Sequence, residues 1–176
     1  MSEKKPQTKV PPAYPLSPPK KEVPSASRLF PSGSTTVLAF DFGEKRIGVA
    51  VGDTTVRIAH PLTVIEAEDN ATRFAAIQAL VDEWRPGGLV VGLPMHQDGT
   101  EHAVSRLARR FANRLEGRFR VPVLLVDERL TSAAAQARLA ESGVRAKKAR
   151  GILDAAAARE ILEAWFESDG ARDRVL

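Results

Sequence analysis

The chain has no cysteine, which removes a disulfide framework, a thiol nucleophile and every cysteine-ligated zinc or iron–sulfur site. Histidine is scarce: His60, His96 and His102 show no ligand spacing with one another and read as turn or surface positions. Aromatic residues are 6% of the sequence and do not interleave with the basic clusters, so a stacking platform for single-stranded bases is not indicated. No apolar run reaches the roughly 20 residues that span a bilayer. The beginning of the chain also lacks the short apolar core of a secretory signal. A soluble cytoplasmic protein with no membrane partner is the expectation.

The 176 residues, 43% of them hydrophobic, suit one domain with a real core. Charge is unevenly spread. Residues 1–34 carry Lys4, Lys5, Lys9, Lys20, Lys21 and Arg28 against Glu3 and Glu22, which accounts for the whole net charge of +4. Eight of the 12 prolines fall in the same stretch. Such a composition buries too little apolar surface to offset ordering entropy, so 1–34 reads as a disordered Pro/Lys-rich tail. It is a solvated extension or a nucleic-acid contact. Residues 35–168 form the expected domain, and 169–176 a flexible C-terminal tail.

From Thr36 the pattern becomes periodic. Val37 to Phe42 is a nearly continuous apolar run, the mark of a strand covered on both faces. Gly43-Glu44-Lys45 reverses the chain into an antiparallel strand, Arg46 to Val51. Ile58 to Ile65 supplies a third strand, placed near an edge by Pro61. Phe74, Ile77, Leu80, Val81 and Trp84 predict a helix over Asn70–Trp84, stopped by Arg85-Pro86-Gly87-Gly88. Leu89 to Leu93 is a buried strand. A helix over about 101–115 carries Val104, Leu107, Phe111 and Leu115 on its apolar side and ends at Gly117. Val121 to Val126 is the fifth strand, followed by a helix over Ser132–Glu141. A basic loop (Arg145, Lys147, Lys148, Arg150) leads to a last helix from near Asp154 to Phe166. Three meandering strands plus two crossover strands give an α/β fold, a five-stranded mixed sheet with helices on both faces. That is a ribonuclease H-like architecture.

Three carboxylates stand where chains seldom place charge. Asp41 lies inside the first apolar strand, on the face of Val37 and Ala39, where an unpaired carboxylate costs several kcal/mol. It is a ligand or a cap on the Gly43 turn. Glu128 ends the fifth strand, where open α/β sheets bind ligands; the alternative is a surface ion pair with Arg129. Asp154 shares a helix face with Ala158, Ile161 and Trp165, so it heads an apolar stripe, unless it is an N-cap. Three such acids without His or Cys suit Mg²⁺ or Mn²⁺. Two such ions roughly 4 Å apart activate water and stabilise the leaving oxygen of a phosphodiester. Basic residues would meet the phosphates: Lys45 and Arg46 just after Asp41, and Lys147, Lys148 and Arg150 just before Asp154. Arg106, Arg109, Arg110 and Arg114 gather on one side of their helix, as a solvated face or a phosphate contact.

Four segments carry a resemblance: Asp41-Phe42-Gly43-Glu44-Lys45-Arg46-Ile47-Gly48-Val49-Ala50-Val51-Gly52-Asp53, Val91-Gly92-Leu93-Pro94, Asp127-Glu128-Arg129-Leu130-Thr131 and Asp154-Ala155-Ala156-Ala157-Ala158. In order and spacing they resemble the bacterial YqgF (RuvX-like) family over roughly residues 35–167. The resemblance implies an RNase H-like nuclease related to Holliday-junction resolvases, acting in maturation of the 5′ end of pre-16S ribosomal RNA. Asp41, Glu128 and Asp154 would be its catalytic and metal-binding triad. Arg129 and Thr131 would join the nucleic-acid contacts. The related resolvases carry their second acid near the fourth strand, where this chain reads Val91-Gly92-Leu93-Pro94, so Glu128 substitutes from the fifth. Precursor rRNA or branched DNA would be the partner, with ribosomal particles beside it, and the protein a monomer or homodimer. Two other classes stay open. Asp41-Phe42-Gly43 and its hairpin also resemble the first phosphate loop of sugar-kinase/actin-type ATPases, although about 140 residues leave no room for their second domain. A non-catalytic RNA- or ribosome-binding assembly factor would use the basic residues equally well.

Overall fold

Val37, Leu38, Ala39 and Phe40 are wholly buried in β1 (Thr36–Phe42), so the middle of this strand meets no solvent on either face. The computed structural model describes residues 34–96, 98–101, 103–128 and 146–173. β1 pairs antiparallel with β2 (Arg46–Asp53) and parallel with β4 (Gly88–Leu93). β3 (Ile58–Glu66) adds antiparallel to β2, and β5 (Val123–Asp127) parallel to β4, giving the order β3-β2-β1-β4-β5. This is the ribonuclease H-like mixed sheet the sequence predicts.

Period-two alternation divides the core. Val37 and Ala39 of β1, with Ala50, Val90 and Val126, pack against Ala158, Ile161, Leu162, Trp165 and Phe166 of the last helix, α3 (Ala146–Asp173). On the other face Leu38, Phe40, Ile47, Val49, Leu89 and Val91 meet Phe74 and Ile77 of α1 (Asn70–Trp84) and Phe111 and Leu115 of α2 (Ala103–Phe119). Helices therefore cover both faces.

Local chemistry explains most boundaries. Asp69 caps α1, accepting from the Thr72 amide at 2.8 Å, and Arg85 closes it in the left-handed region at φ 44°. Pro61 sits on edge strand β3 where the register with β2 slips between Val49 and Ala50. Both features suit a residue with no amide to donate.

Four expectations are corrected. Gly117 does not end α2: glycine inside a helix costs only about 1 kcal/mol, and the helix runs to Phe119 before Arg120 turns left-handed at φ 54°. Val104 is 43% exposed and not on the apolar side; the buried positions are Ser105, Ala108, Phe111, Ala112 and Leu115. The last helix begins at Ala146, so Lys147, Lys148 and Arg150 lie on helical backbone and not in a loop. Alanine, lysine and arginine are strong helix formers, and Gly151 costs only about 1 kcal/mol. At its other end α3 continues to Asp173, making 169–173 helical where a tail is expected. Residues 1–33, the helix over 132–141 and positions 174–176 lie outside the described residues. Among the described residues no helix is long and apolar enough to cross a membrane.

Candidate active site

Asp41 stands near the end of the central strand, on the face that α3 covers, with a glycine on each neighbouring strand. Its register partner on β2 is Gly48. On β4, Gly92 follows the Phe40–Val91 pair. Both glycines are required by close approach. A Cβ on Gly48 would fall 1.8 Å from the backbone oxygen of Asp154, and one on Gly92 would fall 2.3 Å from Oε1 of Glu128 and 2.5 Å from Cδ1 of Ile161. The missing side chains let α3 bring Asp154 down on one side of Asp41 and let the Glu128 carboxylate lie on the other.

Asp154 belongs to the interior of α3, not to its cap, because the helix starts two turns earlier. Arg46, the first residue of β2, places its Nε 3.1 Å from Asp154 Oδ2, and both side chains are about a quarter to a third exposed. The guanidinium predicted to contact nucleic acid thus pairs with one of the predicted acids.

Electrostatics follow from this packing. Burial, then the neighbouring Asp154 charge, pushes Asp41 up to about 6. Burial, then Asp41 and Asp127, pushes Glu128 up to about 7. Asp41 therefore feels both other acids. Among the described residues no three acids stand close enough to form a metal-holding group, and Arg46 is paired with Asp154. In donor type the set fits a hard divalent cation, since all its ligands are oxygens and a cation would relieve the repulsion that raises Asp41 and Glu128.

Of the other predicted contacts, Lys45 is exposed in the turn after Asp41. Arg129 and Thr131 lie outside the described residues, as do the side chains of Lys147, Lys148 and Arg150. His60 and His96 are exposed, as expected, and His102 is outside the described residues. The sequence reading misses Gly48 and Gly92 as site residues. Their signal is a glycine beside the strand acid on each flanking strand, which only the register reveals.

A family model described as "RuvX: Holliday junction resolvase" matches residues 35–168. A "Putative pre-16S rRNA nuclease" of Dechloromonas aromatica (strain RCB) is 62% identical over 133 residues, covering 76% of this chain and 91% of the relative. A protein of the same name from Chromobacterium violaceum is 58% identical over 134 residues, covering 76% of this chain and 98% of its own. Among solved structures, T. thermophilus RuvC in complex with Holliday junction substrate is similar at 16% identity and TM-score 0.49, covering 80% of this chain and 97% of that one. The class of activity is that of a nuclease, a hydrolase of phosphodiester bonds, and its partner is nucleic acid. The chain belongs to the RuvX family.

Proposed function

We propose that this chain is a divalent-metal-dependent endonuclease that processes the 5′ end of pre-16S ribosomal RNA in the cytoplasm. Its acids are Asp41, Glu128 and Asp154, and its cation is Mg²⁺ or Mn²⁺. The carrying observation is Asp41 on a buried strand between Gly48 and Gly92, with Asp154 and Glu128 admitted by those two glycines. Relatives more than half identical over nearly their whole length bear the pre-16S rRNA name, which favours RNA.

A bound divalent cation supplies Lewis acidity and an activated water. The chain supplies oxygen ligands from three elements: Asp41 fixed on the central strand, Glu128 after β5, and Asp154 on α3. Arg46 holds a guanidinium beside Asp154, within reach of a phosphate that approaches the acids, and Lys45 meets the strand in the same turn. Arg129, Thr131, Lys147, Lys148 and Arg150 complete the phosphate contacts in this reading.

The test is purified protein with Mg²⁺ or Mn²⁺ on labelled precursor rRNA and a four-way DNA junction side by side. Cleavage of the RNA, lost in Asp154→Asn, is the expected result. Cleavage of the junction alone supports the second reading, a resolvase, which the family model's description favours. RNA binding without cleavage by either metal makes the protein an assembly factor on this fold and overturns the proposal.

A further inference from the structure

On the face of the sheet opposite Asp41, a cavity of about 320 Å³ opens between α1 and α2. Asp41 and Phe42 are consecutive on β1, so their side chains point to opposite faces. Phe42 lines the cavity, which puts it at the same end of the same strand as the acids. The size is that of a small ligand site. Its floor is aromatic: the Phe42 and Phe111 rings lie 4.9 Å apart at 31°.

Three guanidiniums line this space, and among the described residues none is in an ion pair. Arg73 is 7% exposed, and its Nη2 donates to the carbonyls of Ala67, at 2.9 Å, and Glu44, with the guanidinium 5.8 Å over the Phe42 ring. Carbonyls satisfy its hydrogens but leave its charge intact. Arg110 and Arg114 are one helical turn apart on α2, a spacing at which like charges repel. Among the described residues no carboxylate forms an ion pair with Arg73, Arg110 or Arg114. Two other arginines of the same helix are engaged elsewhere: Arg109 is paired with Glu101 at 2.6 Å, and Arg118 stacks 4.5 Å over Phe74; Arg106 is exposed and does not line the cavity. Glu44 and Glu68 also line the cavity; they repel an anion from their side and confine it to the α2 wall.

We infer that the Arg110–Arg114 wall, backed by Arg73, is a second phosphate-binding site, which takes the backbone of the substrate strand where it leaves the acids and crosses the β1–β2 turn. The inference rests on the nuclease reading above. It assigns α2 a share of substrate affinity that the acidic face does not provide.

Binding is measured without divalent cation, across a salt series, for wild type, Arg110→Gln/Arg114→Gln and Arg110→Lys/Arg114→Lys. The probes are a long single-stranded RNA and a short oligonucleotide that cannot reach from the acids around the turn. With the long RNA, the Gln pair should lower the magnitude of the log–log salt slope by about 1.4, at about 0.7 per phosphate contact. The Lys pair should restore it, and short-oligonucleotide affinity should not change. Parallel slopes for wild type and the Gln pair overturn the inference, as does equal weakening for long and short probes. Binding of a mononucleotide that the Gln pair abolishes, while long-RNA affinity stays, assigns the cavity to a free nucleotide and overturns it. A change of oligomeric state in the Gln pair makes this face a contact between copies and does the same. Thermal melting checks that both variants are folded. Asp41→Asn serves as a separate arm: if it still cleaves, the acidic-set proposal fails whether or not the slope changes.

Discussion

At Asp41, burial and charge act in the same direction, and pH should reveal both. Asp41 sits at about 6 and Glu128 at about 7, each raised by burial first and by a neighbouring acid second. In the unfolded chain both return to ordinary carboxylate values, so between about pH 4 and 7 the folded state binds more protons. Stability from these two groups is therefore full below their unfolded values and is lost as pH rises through the folded ones. For Asp41, the rise from an ordinary 3.8 to about 6 corresponds to roughly 3 kcal/mol. Asp53, Asp69 and Asp98 are lowered by hydrogen bonds from Thr35 and Val56, Thr72 and Thr100 respectively, and act oppositely, at the acid end. Metal-free protein should melt highest near pH 5 and distinctly lower at pH 8. Asp41→Asn should flatten that fall, raise stability at pH 8 by about 2–3 kcal/mol and abolish cleavage; denaturant melts at the two pH values, with a nuclease assay, check this. A less stable Asp41→Asn at pH 8 would make Asp41 a structural cap. The acid was legible because a charged residue interrupts an apolar run. The pairing of two other candidates was not: Arg46 and Asp154 are far apart in sequence, and only the packing of α3 on β2 makes them a pair.

Between elements, the two glycines beside Asp41 predict contrasting outcomes. A methyl on Gly48 meets backbone, the Asp154 carbonyl, so α3 itself must move. Gly48→Ala should cost about 3 kcal/mol and lower activity with it. A methyl on Gly92 meets side-chain tips, Glu128 Oε1 and Ile161 Cδ1, which can yield. Gly92→Ala should cost about 1 kcal/mol yet cut cleavage strongly by displacing Glu128; chemical denaturation beside a nuclease assay separates the two. Equal activity loss per unit of stability in both variants would argue against a positioning role for Gly92. At the end of α1, Arg85 is left-handed at φ 44°, φ 44° being a conformation glycine adopts without penalty. Arg85→Gly should therefore raise stability, by about 0.5–1 kcal/mol, read from the melting midpoint. Elements with strong periodicity were legible, α1 to the residue and β1 to within one residue at its start. The start of α3 was not, because a basic run reads as a loop when helix propensity is set against polarity, and the run sits N-terminal to the apolar stripe.

For the molecule as a whole, the net charge of +4 resides in residues 1–34, and the remainder sums to zero. A chain beginning at residue 35 is expected to keep its fold and its cleavage chemistry, while affinity for nucleic acid falls modestly at low salt. Circular dichroism and a salt series check both, and aggregation of the shortened chain would place the domain boundary earlier. By itself the sequence determined the strand order, the sheet class and the family, and it singled out three candidate acids, because apolar periodicity and local turn chemistry act over short stretches. Only the tertiary structure decided what those acids touch. Strand register set Gly48 and Gly92 beside Asp41, the descent of α3 joined Asp154 to Arg46, and the packing of α1 against α2 left three arginines around one cavity. Contacts between residues distant in the chain depend on how whole faces pack, and no local pattern carries that information.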